Sequence, residues 1–310
     1  MRPLAAWIMQ GRLHAGAAAA LFIAVGWMFA LLMPLTSCLS GAAIGLVTLR
    51  HGPAEGLKVS GIATAAIAVF TGLMFRSALP AVWVLCLIWL PALLCAVVLR
   101  LSRRQGWALV TAAAIAAACA IALRAWTGDV VAWWRRLLDN MMKLAGEQGA
   151  VTGITPEHLD TVARVLNSLV AVSILVTLMA TVLLARYWQA RLYNPGGFAA
   201  EFRAMQLPRG PATGVLLALL VAVTLSRAAG VSGAPLGYAV DLLAISVCAL
   251  AFHGLAYAHY EIWRRRLPAG WVLGLYLALL LLPMYVIVLL AALALADLVF
   301  DFRARFAAGA

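Results

Sequence analysis

Charged residues are scarce in this sequence, and their scarcity excludes a soluble globular protein. Asp, Glu, Lys and Arg make up 11% of the 310 residues, whereas 65% are hydrophobic. An average globular domain carries roughly 25% charged residues. A chain this apolar could not cover its surface toward water. Its continuous apolar runs of about 20 residues are instead typical of helices that cross a membrane.

The period-2 alternation of a membrane β-barrel is also absent. The apolar runs are unbroken and rich in Ala and Leu, whereas a barrel strand alternates polar and apolar residues over about ten positions. We therefore predict an all-α fold, a polytopic transmembrane helical bundle of about 8–9 spans. All of residues 1–310 are predicted to form a single integral membrane domain.

Cysteines and catalytic motifs are few, which argues against a disulfide framework, a metal site or an enzyme. Each of the five Cys residues lies in an apolar run, and no two form a CxxC pair. They are typical of small buried side chains. The sequence has no GxSxG, HExxH or Walker motif. We predict no catalytic residues, no metal and no cofactor.

Basic residues outnumber acidic ones, and the net charge is +12. They stand in short loops between apolar runs, where Lys and Arg orient spans and meet anionic headgroups. The predicted partner is therefore the lipid bilayer and not nucleic acid.

Apolar segments follow one another along the whole chain. Eight are long enough to span a membrane, and a ninth, which begins at Pro34, is short. The eight spans are 15–33, 58–75, 79–99, 106–126, 161–185, 213–229, 236–259 and 270–296. The first run is too long for the apolar region of a cleaved signal peptide, so we predict a retained anchor.

The loop charges predict the orientation. With a cytoplasmic N-terminus and the short segment crossing, the inner side holds the basic cluster 100–104, the loop 186–212 and the triplet 264–266. Short cytoplasmic loops carry an excess of Lys and Arg. We therefore predict nine crossings of the inner membrane of a bacterium. If the short segment entered and left on one side, the later Arg clusters would move outside.

The short segment 34–45 is rich in hydroxyl and small residues. Helix breaks at membrane depth are tolerated where protein or a water-filled cavity surrounds them. One interpretation is a broken helix at a binding cavity, with Thr36, Ser37 and Ser40 as ligand-binding residues. The other is a tightly packed short helix. The pair Gly41/Gly45 here is the GxxxG pattern that we weight most, because it lies well inside an apolar segment.

An amphipathic stretch lies within residues 127–160. In DVVAWWRRLLDNMMKL, apolar pairs recur at spacings of three and four residues, which predicts an interfacial helix near 129–146. Trp133 and Trp134 lie on its apolar side. They are candidate ligand contacts if the helix covers a cavity, and membrane contacts if it does not.

Polar residues within the span 236–259 are the last candidates for a ligand site. His253 and Tyr257 are four residues apart on one helix face, and Asp241 lies roughly 18 Å from His253 along the axis. These three residues are candidates for a ligand or proton site. The alternative is that they form polar contacts between helices.

The loop 186–212 contains a tight turn and a short amphipathic run. Asn-Pro-Gly-Gly at 194–197 cannot continue a helix. The run FAAEFRAMQL then predicts a short helix on the inner surface, with Glu201 and Arg203 toward water. This helix is either a brace or a docking site for a partner. The candidate docking residues are Asn194, Phe198, Glu201, Phe202 and Arg203.

Two stretches resemble a known family. LSGAAIGLVTLRHGPAEGL at 39–57 and ARYWQARLYNPGGFAAEFR at 185–203 resemble the YybS-like family of uncharacterised bacterial membrane proteins. That family is similar to the substrate-binding S components of energy-coupling factor vitamin transporters. The resemblance implies a helical core around a small-molecule site toward the outer leaflet. The chain departs from small S components by its extra spans and its stretch 127–160.

Two functions are consistent with these patterns. The first is binding or transport of a small or lipid-like molecule, and it predicts an enclosed cavity lined by 34–45, 127–147 and 236–259. The Trp- and Met-rich lining favours an amphiphile over a hydrophilic vitamin. The second is a non-transporting scaffold or assembly partner, which docks a cytoplasmic or membrane protein through the loop 186–212. It predicts a filled bundle with an exposed patch near 196–206.

Overall fold

The structure is a computed structural model that describes residues 2–147, 155–208 and 234–308, together with positions 223, 224, 226 and 230. Over these residues the regular structure is helical, without strands. The helices are α1 (Arg2–Ile8), α2 (Arg12–Met28), α3 (Met33–His51), α4 (Pro53–Phe75), α5 (Leu79–Ser102), α6 (Gln105–Thr127), α7 (Val130–Glu147), α8 (Pro156–Tyr193), α9 (Gly197–Arg203), α10 (Ala234–Arg264), α11 (Gly270–Leu281), α12 (Pro283–Phe300) and α13 (Phe302–Ala308).

Seven of the described helices are long and apolar enough to cross a membrane. They are α3, α4, α5, α6, α8, α10 and α12. The helices α2 and α11 are apolar but shorter. These helices confirm the all-α, polytopic class. The predicted span 213–229 lies outside the described residues, apart from positions 223, 224 and 226.

The chain divides into two compact units. The first comprises Met1–Ala112, Val176–Pro208 and Leu250–Ala310, and the second comprises Ala113–Leu175 and Arg209–Ala249. A single membrane domain over the whole chain stays a prediction.

The core of the first unit is built around α3, against which α2, α4 and α5 pack. Two glycines of α3 allow α8 to approach closely. A Cβ added to Gly41 would lie 2.8 Å from Cγ2 of Thr181, and one added to Gly45 would lie 3.0 Å from Cβ of Ala185. The pair Gly41/Gly45 is therefore a point of close contact between α3 and α8.

The short segment that begins at Pro34 forms part of the continuous helix α3, and the helix is not broken. Pro34 lies in the first turn, where its missing N–H removes no helical hydrogen bond. A 3₁₀ turn precedes the helix, so that 22 residues from Ala30 to His51 are helical. Of the two alternatives for this segment, the structure has the packed helix, and that helix is long enough to span a membrane.

The prediction of one continuous span over 270–296 is wrong. The helix stops at Leu282, whose φ of −131° and ψ of 52° are not helical, and a new helix begins at Pro283. Proline cannot supply the N–H that a continuing helix needs, but its fixed φ suits a first turn. The segment is therefore two helices, α11 and α12, which pack against each other.

The amphipathic helix predicted near 129–146 forms as α7 in the second unit. Asp129 caps it, because its Oδ1 accepts hydrogen bonds from the backbone N–H groups of Val131 and Ala132, each at 3.0 Å. Arg135 of α7 donates to the carbonyl oxygen of Pro156 at 3.0 Å. It also pairs with Asp160 of α8.

Candidate functional site

A large cavity lined by described residues lies in the first unit, between α8, α9, α10 and α11. Its volume is about 1220 Å³. Ligand pockets usually enclose about 300–1,000 Å³ and are mostly apolar with a few polar groups. This cavity has that composition, and it is large enough for an acyl chain.

The apolar wall of the cavity is formed in part by α9. Phe198 and Phe202 stack with their ring centroids 6.1 Å apart. Phe202 meets the ring of His259 edge-on at 5.3 Å, and Phe198 meets that of Tyr187 at 5.6 Å. These two candidate docking residues therefore face the cavity.

Basic and polar side chains also line the cavity. The guanidinium carbon of Arg203 lies 4.6 Å from the ring centroid of Trp263, and Arg266 contributes a further positive charge. His259 Nε2 lies 3.1 Å from the hydroxyl of Tyr276. The cavity thus joins a hydrocarbon lining to guanidinium groups, which suits an amphiphile with an anionic head.

The turn before α9 positions these side chains. Gly196 has a φ of 89°, which glycine adopts without strain. A Cβ at Gly197 would lie 2.2 Å from Nδ2 of Asn194, an exposed side chain that can move aside. Gly196 is thus required by the backbone, whereas a side chain at Gly197 requires only a shift of Asn194.

Glu201 holds α9 against α8. Arg186 donates from Nε to Glu201 Oε2 at 2.6 Å and from Nη2 to Oε1. Glu201 and Arg203 are partly exposed, and each also contacts a neighbouring helix: Glu201 is paired with Arg186, and Arg203 covers Trp263. Helical periodicity could not show these partners, which belong to other helices.

A buried polar cluster joins α10, α12 and α13. His253 and Asp297 are fully buried, with Nε2 of the histidine 3.0 Å from Oδ2 of the aspartate. Arg303 lies 3.3 Å from the same carboxylate oxygen and 5.4 Å above the ring of Tyr257. The structure thus brings the predicted pair His253 and Tyr257 together with two partners that sequence reasoning had not assigned to it.

A second buried cluster surrounds Asp241 in the other unit. Its carboxylate is 2% exposed and accepts hydrogen bonds from three side chains. Arg124 Nε and Asn167 Nδ2 donate to Oδ2, and Ser168 Oγ donates to Oδ1 at 2.5 Å. Because these donors lie on α6 and α8, no local pattern around Asp241 could have revealed them.

The chain can be compared with known proteins. A family model described as Predicted membrane protein (DUF2232) matches residues 17–298. The chain belongs to this family. No curated protein and no solved structure matches it. Membership in the DUF2232 family agrees with the apolar helices of the structure, and the family's description names no activity.

The hydroxyl residues of α3 lie in packed protein. Thr36 Oγ1 donates to the carbonyl of Met33 at 3.2 Å. Ser40 Oγ donates to the carbonyl of Ala19 at 2.7 Å and accepts from Trp89 Nε1 at 2.8 Å. Ser37 is buried as well. The cavities that lie against α8 and α9 are lined by residues other than 34–45, and a ligand contact at these residues stays a prediction.

Trp133 and Trp134 belong to an aromatic cluster of the second unit. Their ring centroids are 4.6 Å apart, and Trp133 lies 6.2 Å from Trp126. Both pairs meet edge-on, a geometry that aromatic pairs favour. Ligand contact by these tryptophans likewise stays a prediction.

Proposed function

We propose that this membrane protein binds a lipid-like amphiphile with an anionic headgroup in the cavity between α8, α9, α10 and α11. The observation that carries the proposal is the pairing of an apolar wall with guanidinium groups in one cavity. Phe198 and Phe202 supply hydrocarbon contact, and Arg203 and Arg266 supply positive charge.

The apolar wall and the guanidinium groups of the cavity each favour one part of an amphiphilic ligand. The apolar wall holds an acyl chain without exposing it to water, which would cost about 0.8 kcal/mol per methylene, whereas a hydrophilic vitamin would lose hydrogen bonds to water there. A guanidinium group presents several N–H donors in a plane that matches phosphate and carboxylate oxygens. A phospholipid or a fatty acid combines both features.

We place the protein in the bacterial inner membrane with a cytoplasmic N-terminus, as the loop charges predict. The cavity then lies near the inner surface, since α9 belongs to the inner loop. The proposed likeness to YybS-like proteins and S components would instead put a ligand toward the outer leaflet. Locating the bound ligand decides between these two expectations.

The alternative function is a scaffold that docks a protein through the loop 186–212. In the structure, Phe198 and Phe202 line the cavity and Glu201 is paired with Arg186. Docking through these side chains would therefore require them to leave their present contacts. These contacts support a brace that closes a ligand cavity.

Two neighbouring alanines of α9 provide a matched test. Both are exposed, but Ala199 lines the cavity and Ala200 does not. We expect Ala199→Trp to fill part of the cavity and lower the retention of phosphatidylglycerol about tenfold, a change of about 1.4 kcal/mol. Native mass spectrometry of protein taken from phosphatidylcholine nanodiscs with a minor share of phosphatidylglycerol measures the bound lipid.

Ala200→Trp is the control and should bind as the wild type does. Arg203→Gln should weaken retention without filling the cavity, because it removes the guanidinium charge and shortens the side chain. Equal retention in all variants would refute lipid binding in this cavity. A protein that copurifies in fixed ratio, with no bound lipid, would favour the scaffold.

A further inference from the structure

A second pocket of the first unit is lined mainly by polar side chains. Its volume is about 460 Å³, and it is lined by Arg100, Arg103, Arg186, Gln189 and Glu201, together with two leucines. Helix α9 contributes Glu201 to this pocket, whereas Phe198 and Phe202 of the same helix line the larger cavity.

The charges in this pocket do not balance. Its one acidic side chain, Glu201, is held by Arg186 in a two-pronged ion pair, and Arg186 also donates to Gln189. Among the described residues, Arg100 and Arg103 have no carboxylate partner. Two guanidinium charges therefore remain uncompensated in a concave site, which concentrates anions.

The two arginines are held in place by the end of α5. Arg100 lies in the last turn and donates from Nη1 to the carbonyl oxygen of Leu49, near the end of α3. Carbonyl groups at a helix end attract a cation. Arg103 follows as the residue that ends α5, with a φ of 55°. Arg100 keeps donors beyond the single bond to Leu49, so that its guanidinium can still receive an anion.

We propose that this polar pocket binds a phosphate group. Guanidinium groups pair with phosphate oxygens through charge-assisted hydrogen bonds, often two at a time. Inorganic phosphate or a phosphate monoester, as a dianion, would balance the two charges of Arg100 and Arg103, and the phosphodiester of a lipid headgroup would balance one of them. The phosphate can belong to a lipid headgroup or to a soluble molecule. This site does not depend on the amphiphile cavity, because the side chains argued to bind differ.

Arg103 and Arg104 form a matched pair for testing the site. They are adjacent and exposed, but Arg103 lines the pocket and Arg104 does not. Arg103→Asn removes the charge, and Asn tolerates positive φ better than most residues. We expect it to weaken the binding of inorganic phosphate about tenfold or more, the loss typical of a hydrogen bond to a charged group. Titration calorimetry of the detergent-solubilised protein measures this affinity.

The control, Arg104→Gln, should bind phosphate as the wild type does. Arg103→Gln, which keeps more of the side-chain length, should reproduce the loss. The lipid source is tested in nanodiscs of phosphatidylcholine with phosphatidylglycerol, using Ala199→Trp protein so that the larger cavity contributes little. Loss of one bound phosphatidylglycerol with Arg103→Asn would assign the phosphate to a lipid headgroup.

Phosphate binding without a lipid effect would assign it to a soluble molecule. The proposal is overturned if neither phosphate nor phosphatidylglycerol responds to Arg103→Asn. It is also overturned if Arg104→Gln causes the same loss, because the effect would then come from general surface charge. Failure here leaves the result for Ala199→Trp unaffected.

Discussion

At the scale of single residues, the buried carboxylates depend on their donors. Asp241 has three side-chain donors, and Gly237, one turn earlier, leaves room for the largest of them. A Cβ at Gly237 would lie 2.5 Å from Arg124 Nη1. A charge in an apolar interior is costly unless it is paired and hydrogen-bonded, so this cluster is stable only as a whole.

Removing the carboxylate of Asp241 alone should therefore lower the free energy of unfolding more than replacing both Asp241 and Arg124. We expect Asp241→Ala to lower the free energy of unfolding by about 3–5 kcal/mol, because Arg124 is left as an uncompensated buried charge. Thermal or denaturant unfolding in detergent micelles measures this loss.

The double variant Arg124→Leu with Asp241→Leu is the comparison. It should recover much of the loss, since apolar residues of similar volume often replace a buried ion pair without cost. If Asp241→Ala costs less than about 1 kcal/mol, the range of an exposed pair, the carboxylate is solvated and the interpretation is wrong.

At the scale of elements, small residues determine how closely the helices approach. Gly254 of α10 lies against the backbone of α12, where an added Cβ would be 1.9 Å from the carbonyl oxygen of Leu290. Backbone cannot move aside as a flexible side chain can. Gly254 belongs to no GxxxG pattern, so spacing alone did not point to this contact.

Gly254→Ala should separate α10 from α12. We expect it to lower the free energy of unfolding by about 3 kcal/mol, the upper range for overpacking a close contact. Thermal unfolding with and without the substitution measures the change. Gly72→Ala is the control, because a Cβ there meets no atom within 4 Å; it should be neutral or slightly stabilising. Equal effects at the two glycines would contradict close packing at Gly254.

At the scale of the whole molecule, contacts of Arg303 change the predicted topology. Its Nη1 donates to the carbonyl oxygens of Arg203 and Met205, at 2.7 and 3.2 Å. Residue 303 therefore lies beside the loop that follows α8. A single crossing at 270–296 would have placed these two segments on opposite sides of the membrane. The break at Leu282 allows the chain to return.

Cysteine labelling tests this arrangement. In a variant without the native cysteines, Ala200→Cys and Ala304→Cys should react alike with a membrane-impermeant maleimide, and only after the cells are permeabilised. Both positions are exposed, and the loop charges predict the inner side. Ser77→Cys, in the connection between α4 and α5, should react in intact cells. Different patterns at positions 200 and 304 would contradict the return of the chain.

Hydropathy and charge along the sequence determined the class, most of the helices and the amphipathic α7. These are local properties, because a span needs only about 20 apolar residues in a row and an amphipathic face needs only the helical period. The expectation of close helix contact at Gly41/Gly45 was likewise correct, since a GxxxG pair within one apolar run is a local signal.

The tertiary structure alone decided which polar groups meet and where the cavities lie. Asp241 is bound by residues of α6 and α8, and His253 by Asp297, whose carboxylate Arg303 also contacts. Such partners stand far apart in the chain, and no spacing rule connects them. Phe198 and Phe202 were correctly assigned to an apolar face, but only packing against α10 and α11 turned that face into a cavity wall. A helix face is encoded locally, whereas what covers it depends on the arrangement of the other helices.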